Sequence, residues 1–225
     1  MPGADGQPAY DVGVTKIKFC GITRLQDAEL AVSAGAWAIG LIFWPGSPRR
    51  CSLEAAVEIA TAVKRRVEVV GVFVNPTLDE VAARAEEAGL TMVQLHGDEG
   101  PSFCAEVARR TGCKVIKAVR VRSGADIQAM SAFHTDYHLL DSYVPGVPGG
   151  TGATFSWELA RAHHGPLPLI LSGGLTPENV SDAIAAVRPY AVDVASGVEA
   201  EPGVKGPEKL EAFAAAVRST AMAAR

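Results

Sequence analysis

Long apolar runs and paired cysteines are both missing from this sequence of 225 residues. No segment has the roughly 20 consecutive apolar residues that a membrane-spanning helix needs, so we expect neither a membrane span nor a membrane partner. The cysteines form no C-x-x-C pair and lie at metal-ligand spacing from no histidine, which argues against a zinc site and against a disulfide scaffold. We therefore expect no bound metal and a reducing, cytoplasmic location. The cysteines are Cys20, Cys51, Cys104 and Cys113.

A block of charge of one sign is missing as well. The chain has 21 Lys and Arg against 25 Asp and Glu, a net charge of −4, and these charges are scattered. Nucleic-acid-binding domains carry a clustered basic surface, so we expect no nucleic-acid partner. Residues 1–13 contain no Lys or Arg and no long apolar stretch, which argues against a signal peptide and predicts a loose N-terminal tail.

The sequence does contain a regular alternation of short apolar runs and longer helical patterns. The runs are nearly continuous in Val, Ile and Leu, as is typical of parallel strands covered on both faces. Eight strand-then-helix units in this length predict an α/β fold, a closed (β/α)8 TIM barrel forming a single domain over residues 14–225. An open doubly wound sheet is the alternative, because counting does not prove closure. The predicted strands are residues 14–19, 37–43, 67–74, 91–95, 114–121, 137–140, 167–171 and 191–194.

Polar residues ahead of the helical patterns predict where helices begin. Thr23 with Gln26, and Thr77 with Glu80, have the three-residue spacing of a capping box. Other residues fit an N-cap or the first helical turn. These are Ser52, Pro101, Ser123 and the pair Thr176 and Pro177.

The links from strand to helix carry the unusual residues, whereas the links from helix to strand are short and plain. In a barrel the first kind gathers on one rim, where active sites are built. Gly173 and Gly174 follow the seventh strand, and Ser196 and Gly197 follow the eighth. Glycines there let backbone N–H groups converge on an anion, which predicts a phosphate site. The alternative is that these glycines only close tight turns.

Cys20 ends the first strand, immediately before a turn at Gly21 and a helix. Side chains two apart in a strand share a face, so Lys16, Lys18 and Cys20 point the same way. Two ammonium groups beside a thiol predict a lowered thiol pKa and a reactive cysteine. A lone cysteine is also commonly a small buried hydrophobic residue, and that interpretation stays open.

Asp141 ends the sixth apolar run and is the candidate general acid, because a partly desolvated carboxyl retains its proton more readily. His96 shares a face with Gln94 at the end of the fourth strand, and either side chain would line the cavity. Arg49 and Arg50 follow the second strand, where a guanidinium could hold a carboxylate by two hydrogen bonds. Each of these residues also has an ordinary structural explanation, as a turn cap, a hydrogen-bonding residue or a solvated charge.

Taken together, nine short motifs resemble those of the phosphoribosylanthranilate isomerases of tryptophan biosynthesis. They occur in order from about the first strand to the last helix, and their combination is specific. The motifs are KFCGIT at 18–23, FWP at 43–45, SPR at 47–49, VFVN at 72–75, VQLHG at 93–97, LLD at 139–141, GGTG at 149–152, LSGGL at 171–175 and DVASGVE at 193–199.

The resemblance implies a (β/α)8 barrel that carries out an Amadori rearrangement of a phosphorylated sugar amine without a cofactor. It implies Cys20 as general base, Asp141 as general acid and Arg49 as the ligand of the substrate carboxylate. It further implies a phosphate site, and we expect three additional residues as candidate substrate contacts. The phosphate site is Gly173, Gly174, Ser196 and Gly197; the candidate contacts are Lys18, His96 and Asp193.

The sequence departs from the family pattern at two places, and three other functions are alternatives to the isomerase. Gly206 and Pro207 follow Lys205 where the family usually has Asp, which affects the start of the last helix, and the loop 142–148 varies in length in the family. A related isomerase of histidine biosynthesis would use two carboxylates, and Cys20 argues against it. A flavin-dependent barrel oxidoreductase would be yellow, and a catalytically silent binding barrel would need neither Cys20 nor Asp141. The sequence leaves open a monomer or a homodimer.

Overall fold

The structure is a computed structural model, which describes residues 14–142, 157–161, 163 and 165–223. Eight parallel strands form a closed barrel in chain order, with β8 pairing back onto β1, which confirms the predicted barrel and excludes the open sheet. The strands are β1 Lys16–Cys20, β2 Ala38–Ile42, β3 Glu68–Phe73, β4 Met92–Leu95, β5 Lys114–Val121, β6 Tyr137–Ser142, β7 Leu169–Leu171 and β8 Ala191–Val194. The helices are α1 Leu25–Ser33, α2 Leu53–Val63, α3 Leu78–Ala88, α4 Pro101–Thr111, α5 Gly124–Ala129, α6 Trp157–Ala160, α7 Val180–Val187 and α8 Pro207–Ala223.

Apolar side chains fill two separate regions of the barrel. Every second residue of each strand packs against the helices, and the alternate residues fill the inside of the ring. Inside the ring, Cys20 belongs to the same cluster as Ala118 and Leu139. A residue two positions beyond an inward-facing one therefore points into the mouth at the carboxyl end of the strands. Asp141, two residues after Leu139, meets this condition.

Some of the predicted helix starts are confirmed and two are wrong. Thr77 and Glu80 form the predicted capping box, and the Ser52 side chain accepts a hydrogen bond at the start of α2. No capping box forms at Thr23, whose hydroxyl instead donates to the Gly203 carbonyl oxygen at 2.6 Å. That tertiary contact takes the hydroxyl away from the helix start.

The seventh helix also begins later than predicted. Thr176 and Pro177 lie in a turn, and α7 starts at Val180. Within the turn the Thr176 backbone N–H donates to Asn179 Oδ1 at 2.9 Å, and the Asn179 amide donates to the Gly174 carbonyl oxygen at 2.9 Å. The extra turn keeps the loop after β7 close to the mouth.

A short hairpin after β8 was not predicted. It pairs β9 Glu199–Glu201 with β10 Val204–Lys205, after a turn of 3-10 helix at Ser196–Val198. The hairpin places Glu199 and Lys205 near the carboxyl end of β1, and α8 begins at Pro207 directly after the hairpin. Its strands are too short to give a periodic pattern in the sequence.

Several predictions fall on other parts of the chain. The N-terminal tail at 1–13, all of the loop 142–148 beyond Ser142, and the motif at 149–152 lie outside the described residues. Within the described ranges, no helix is long and apolar enough to cross a membrane. Among the same residues, no three His, Cys, Asp or Glu side chains are grouped as they would be around a metal ion.

Candidate active site

Cys20 is the last residue of β1 and faces the inside of the barrel, where it is 6% exposed. It pairs in register with Gly40 on β2. A methyl group on Gly40 would lie 2.8 Å from the Cys20 sulfur, closer than two such atoms can approach. The absence of a side chain at Gly40 therefore provides the space that the sulfur occupies at the mouth.

The electrostatic setting of Cys20 differs from the prediction. Burial raises the pKa of the Cys20 thiol, and the positive charge of Lys18 opposes this rise while the negative charge of Asp193 adds to it. The predicted lowered pKa is therefore wrong. Lys16 does not assist, because its ammonium lies at the other end of β1 and donates to the Tyr190 hydroxyl at 2.6 Å.

Lys18 and Asp193 form a buried ion pair on the same inner face as Cys20. Lys18 Nζ lies 2.7 Å from Asp193 Oδ1, and the Ser172 hydroxyl donates to Asp193 Oδ2 at 3.0 Å. Lys18 is completely buried, and the Asp193 side chain is 6% exposed. Lys18 lies two residues before Cys20 on β1, so these two candidate substrate contacts are deeper in the barrel than the thiol and bind each other.

Lys205 is a second ammonium group near Cys20, and sequence reasoning gave it no role. Its Nζ donates to the Cys20 carbonyl oxygen at 2.7 Å, to the Ala195 carbonyl oxygen at 3.0 Å and to Glu199 Oε1 at 3.1 Å. Burial lowers the pKa of Lys205, and the charge of Glu199 opposes that effect. The motif that contains Glu199 was the only sign of this arrangement in the sequence.

Arg49 does bind a carboxylate through two nitrogens, but that carboxylate belongs to the protein. Its Nε lies 2.8 Å and 3.0 Å from the two carboxylate oxygens of Glu199, and its Nη2 lies 2.8 Å from Glu199 Oε2. The Arg49 side chain is 17% exposed. Gly21 makes this approach possible, because it has a φ of +74° and an added methyl group would lie 2.9 Å from Arg49 Cδ.

Asp141 faces the mouth from β6 and contacts His96, which follows β4. Asp141 Oδ2 lies 3.2 Å from His96 Nε2, and His96 Nδ1 lies 3.0 Å from Gln94 Nε2. His96 thus contacts Gln94 through Nδ1 and Asp141 through Nε2, so its ring bridges the ends of β4 and β6. Both side chains are about one-fifth exposed, at 18% for His96 and 21% for Asp141.

Cys20 and Asp141 lie at the same end of the barrel. Each is inward-facing near the carboxyl end of its strand, and β1 and β6 are three positions apart around the ring of eight. Parallel strands place all their carboxyl ends on one rim. A thiol and a carboxyl therefore face one shared space from different sides.

The glycine turns after β7 and β8 pack directly against each other. Gly173 and Gly174 have φ values of +92° and +65°, in the left-handed region that favours glycine. A methyl group on Gly197 would lie 1.9 Å from the Leu175 carbonyl oxygen, so only glycine permits this contact. The backbone N–H groups of Gly173 and Gly174 donate to no residue in the described part of the chain. They are thus available to an anion.

Comparison with known proteins agrees with this geometry. Residues 17–216 match the family model of N-(5'phosphoribosyl)anthranilate (PRA) isomerase. The N-(5'-phosphoribosyl)anthranilate isomerase of Citrifermentans bemidjiense is 47% identical over 209 residues, covering 93% of this chain and 100% of the relative. The crystal structure of phosphoribosyl anthranilate isomerase from Thermotoga maritima is 41% identical with a TM-score of 0.84, covering 92% of this chain and 100% of that one.

One related structure contains a bound molecule. It is a phosphoribosyl anthranilate isomerase in complex with reduced 1-(o-carboxyphenylamino)-1-deoxyribulose 5-phosphate, 39% identical with a TM-score of 0.81, covering 92% of this chain and 100% of that one. The family match spans most of the chain, and the relatives are covered almost end to end. This chain therefore belongs to the N-(5'-phosphoribosyl)anthranilate isomerase family, the isomerases of tryptophan biosynthesis.

Proposed function

We propose that Cys20 and Asp141 convert N-(5-phosphoribosyl)anthranilate to 1-(2-carboxyphenylamino)-1-deoxyribulose 5-phosphate as a general base and a general acid. Asp141 gives a proton to the ribose ring oxygen, and the ring opens to an iminium. Cys20, as thiolate, then removes the proton from the neighbouring ribose carbon, and the enolamine rearranges to the ketone. The observation that supports this is the position of the two groups, which face one mouth from different strands.

The acid step draws on His96 as well as Asp141. His96 Nε2 lies 3.2 Å from Asp141 Oδ2, within hydrogen-bond distance. After Asp141 has protonated the ring oxygen, His96 is in position to donate to the carboxylate that remains. His96 is thus a positioning residue for the acid, and in this proposal it also contacts the substrate.

The base step depends on converting a buried thiol to a thiolate. Burial raises the pKa of Cys20, so most of the sulfur is protonated at neutral pH. Lys18 and Lys205 supply the positive charge that favours the thiolate, and Asp193 opposes them. In this proposal Lys18 and Asp193 lie deeper in the barrel than Cys20, affect the reactivity of its thiol through their charges, and do not contact the substrate.

The ends of the substrate are held by the glycine turns and by Arg49. Gly173, Gly174, Ser196 and Gly197 form the phosphate site, supported by the free N–H groups after β7. Arg49 has used its Nε and Nη2 on Glu199, and its Nη1 makes no bond to a described residue, so that nitrogen is left for the substrate carboxylate.

The remaining proposals concern the setting of the enzyme. The acid–base chemistry needs no cofactor, and every proposed group comes from one chain, so a monomer or a homodimer can act equally. We place the enzyme in the cytoplasm, without a nucleic-acid or membrane partner.

The test follows the loss of phosphoribosylanthranilate fluorescence with purified protein. We expect Cys20→Ala and Asp141→Asn each to lower kcat by about 10²–10⁴-fold, because each removes one proton-transfer group, while affinity for substrate changes little. Cys113→Ala is the matched control, because Cys113 lies at the opposite end of the barrel between α4 and β5. Turnover close to wild type in either active-site variant would refute the assignment. A yellow protein without isomerase activity would favour a flavin enzyme.

A further inference from the structure

A cavity of about 550 Å³ opens at the mouth on the side away from the glycine turns. Trp44, Asn75 and His96 line it from the segments after β2, β3 and β4, and Arg120 lines it from the end of β5. Strands β3 and β4 lie four positions from β7 and β8 in the ring of eight, so the cavity faces the glycine turns across the mouth. A substrate with its phosphate on those turns directs its other end toward this cavity.

Arg120 brings a positive charge to the cavity. It follows Ala118 by two residues on the inner face of β5, and it pairs in register with Asp141 on β6. Its side chain is exposed and makes no hydrogen bond or ion pair with any residue in the described ranges. An unpaired guanidinium beside the proposed acid is therefore available to an anionic group of the substrate.

The other charged residues that line the cavity are mostly engaged with each other. The exception is Asp98, which is exposed at the rim and forms no ion pair with Arg120. The paired charges are Lys117 with Glu99 at 2.7 Å and Arg122 with Asp126 at 3.0 Å. Arg120 is thus the cation of this lining that is not already matched by an acidic partner within the described chain.

The aromatic end of the substrate also has a matching surface in the cavity. Trp44 is 42% exposed, an unusual exposure for a large apolar side chain, and its indole borders the same space as Arg120. An aryl ring gains contact area against an indole face. Arg49, which lies in the same segment after β2 as Trp44, is already bonded to Glu199 through two of its nitrogens. Only Nη1 of Arg49 is therefore left for the carboxylate on the ring, and a second cation can bind the same carboxylate.

We propose that Arg120 binds the carboxylate of the substrate's aromatic ring, with Trp44 against the ring, and thereby favours an aryl group that carries an acid. This rests on the proposed function, because it assumes that the phosphate lies on the glycine turns and the sugar between Cys20 and Asp141. Arg120 then acts together with Arg49, each contributing to recognition of the same carboxylate.

The experiment measures binding of two stable probes by calorimetry. One probe is reduced 1-(o-carboxyphenylamino)-1-deoxyribulose 5-phosphate, and the other is its counterpart made from aniline, which lacks the carboxyl group. We expect Arg120→Gln to weaken binding of the first probe about tenfold, the loss of one charge-assisted hydrogen bond at a partly solvated site, and to leave the second unchanged. Arg65→Gln, at the opposite end of the barrel between α2 and β3, is the matched control and should change neither.

Kinetics of the same variants separate this proposal from the proposed function. With active wild-type enzyme, Arg120→Gln should raise KM for phosphoribosylanthranilate with little change in kcat, because the contact persists from ground state to transition state. Equal losses for both probes, or no loss for either, would overturn the role of Arg120 while leaving the isomerase assignment intact. Wild-type protein without isomerase activity would overturn the proposed function, and this inference with it.

Discussion

Replacing Lys18 by Met tests the buried ion pair beneath Cys20. Methionine retains the volume of the lysine stem and removes the charge, which leaves the Asp193 carboxylate with the Ser172 hydroxyl at 3.0 Å as its remaining side-chain partner. Removing one member of a buried pair typically costs about 3–5 kcal/mol. For a chain of this length that corresponds to a fall in Tm of roughly 6–20 °C.

The same substitution changes the reactivity of Cys20. The charge of Lys18 lowers the pKa of the thiol, so its loss raises that pKa further above the usual value. Each unit of increase reduces the thiolate fraction about tenfold at a pH below the pKa. Alkylation of Cys20 by iodoacetamide should therefore slow in Lys18→Met, and turnover should fall with it.

A double variant distinguishes stability from thiol chemistry. Lys18→Met with Asp193→Asn removes both charges and should recover most of the lost stability, because no unpaired charge stays buried. Alkylation should recover only in part, because Lys18 affects the pKa of Cys20 more strongly than Asp193 does. The assays are thermal unfolding and mass-spectrometric counting of alkylated Cys20 against pH. An alkylation rate in Lys18→Met equal to that of wild type would refute the effect of Lys18 on the pKa of Cys20. Full recovery of the alkylation rate in the double variant would refute it as well.

Two further predictions concern Gly40 and Glu199. Gly40→Ala places a methyl group 2.8 Å from the Cys20 sulfur. This variant should lose about 1–3 kcal/mol of stability by overpacking and about 10²-fold in kcat by displacing the thiol, measured by unfolding and turnover. Gly124→Ala, with open space around it, is the control. Burial raises the pKa of Glu199, but the hydrogen bonds and positive charges of Arg49 and Lys205 together outweigh burial, so the net pKa lies below the usual value. Its carboxylate therefore stabilises the fold above about pH 4.5, and this stabilisation is lost as the pH falls through the folded pKa. In urea unfolding, Glu199→Gln should be less stable than wild type at neutral pH and should lose less free energy of unfolding on acidification. Equal losses of free energy of unfolding in the two proteins from about pH 5 to about pH 3 would contradict this.

The barrel itself was predictable because its evidence is local. Each strand is a short apolar run, and the side-chain alternation within it is set by backbone geometry alone, so Cys20 and Asp141 could be assigned to strand ends. The glycine turns were predictable for the same reason, since Gly173 and Gly174 mark positive φ angles. Thr23 shows the limit, because its spacing from Gln26 fitted a capping box while Gly203 offered a better partner.

The charges around the candidate site could not be assigned in this way. Lys18 pairs with Asp193, 175 positions away, and Lys205 binds the carbonyl of Cys20, 185 positions away. The carboxylate that Arg49 holds is Glu199, and no periodic pattern relates them.

By itself, the sequence determined the eight-strand barrel, the rim on which polar residues gather and the two side chains that face its mouth, because these depend on short-range patterns. Only the tertiary structure decided how that mouth is charged. Closing β8 against β1 brings distant ionic groups together, and the surrounding barrel removes water from Cys20, so burial prevails and the pKa of its thiol rises.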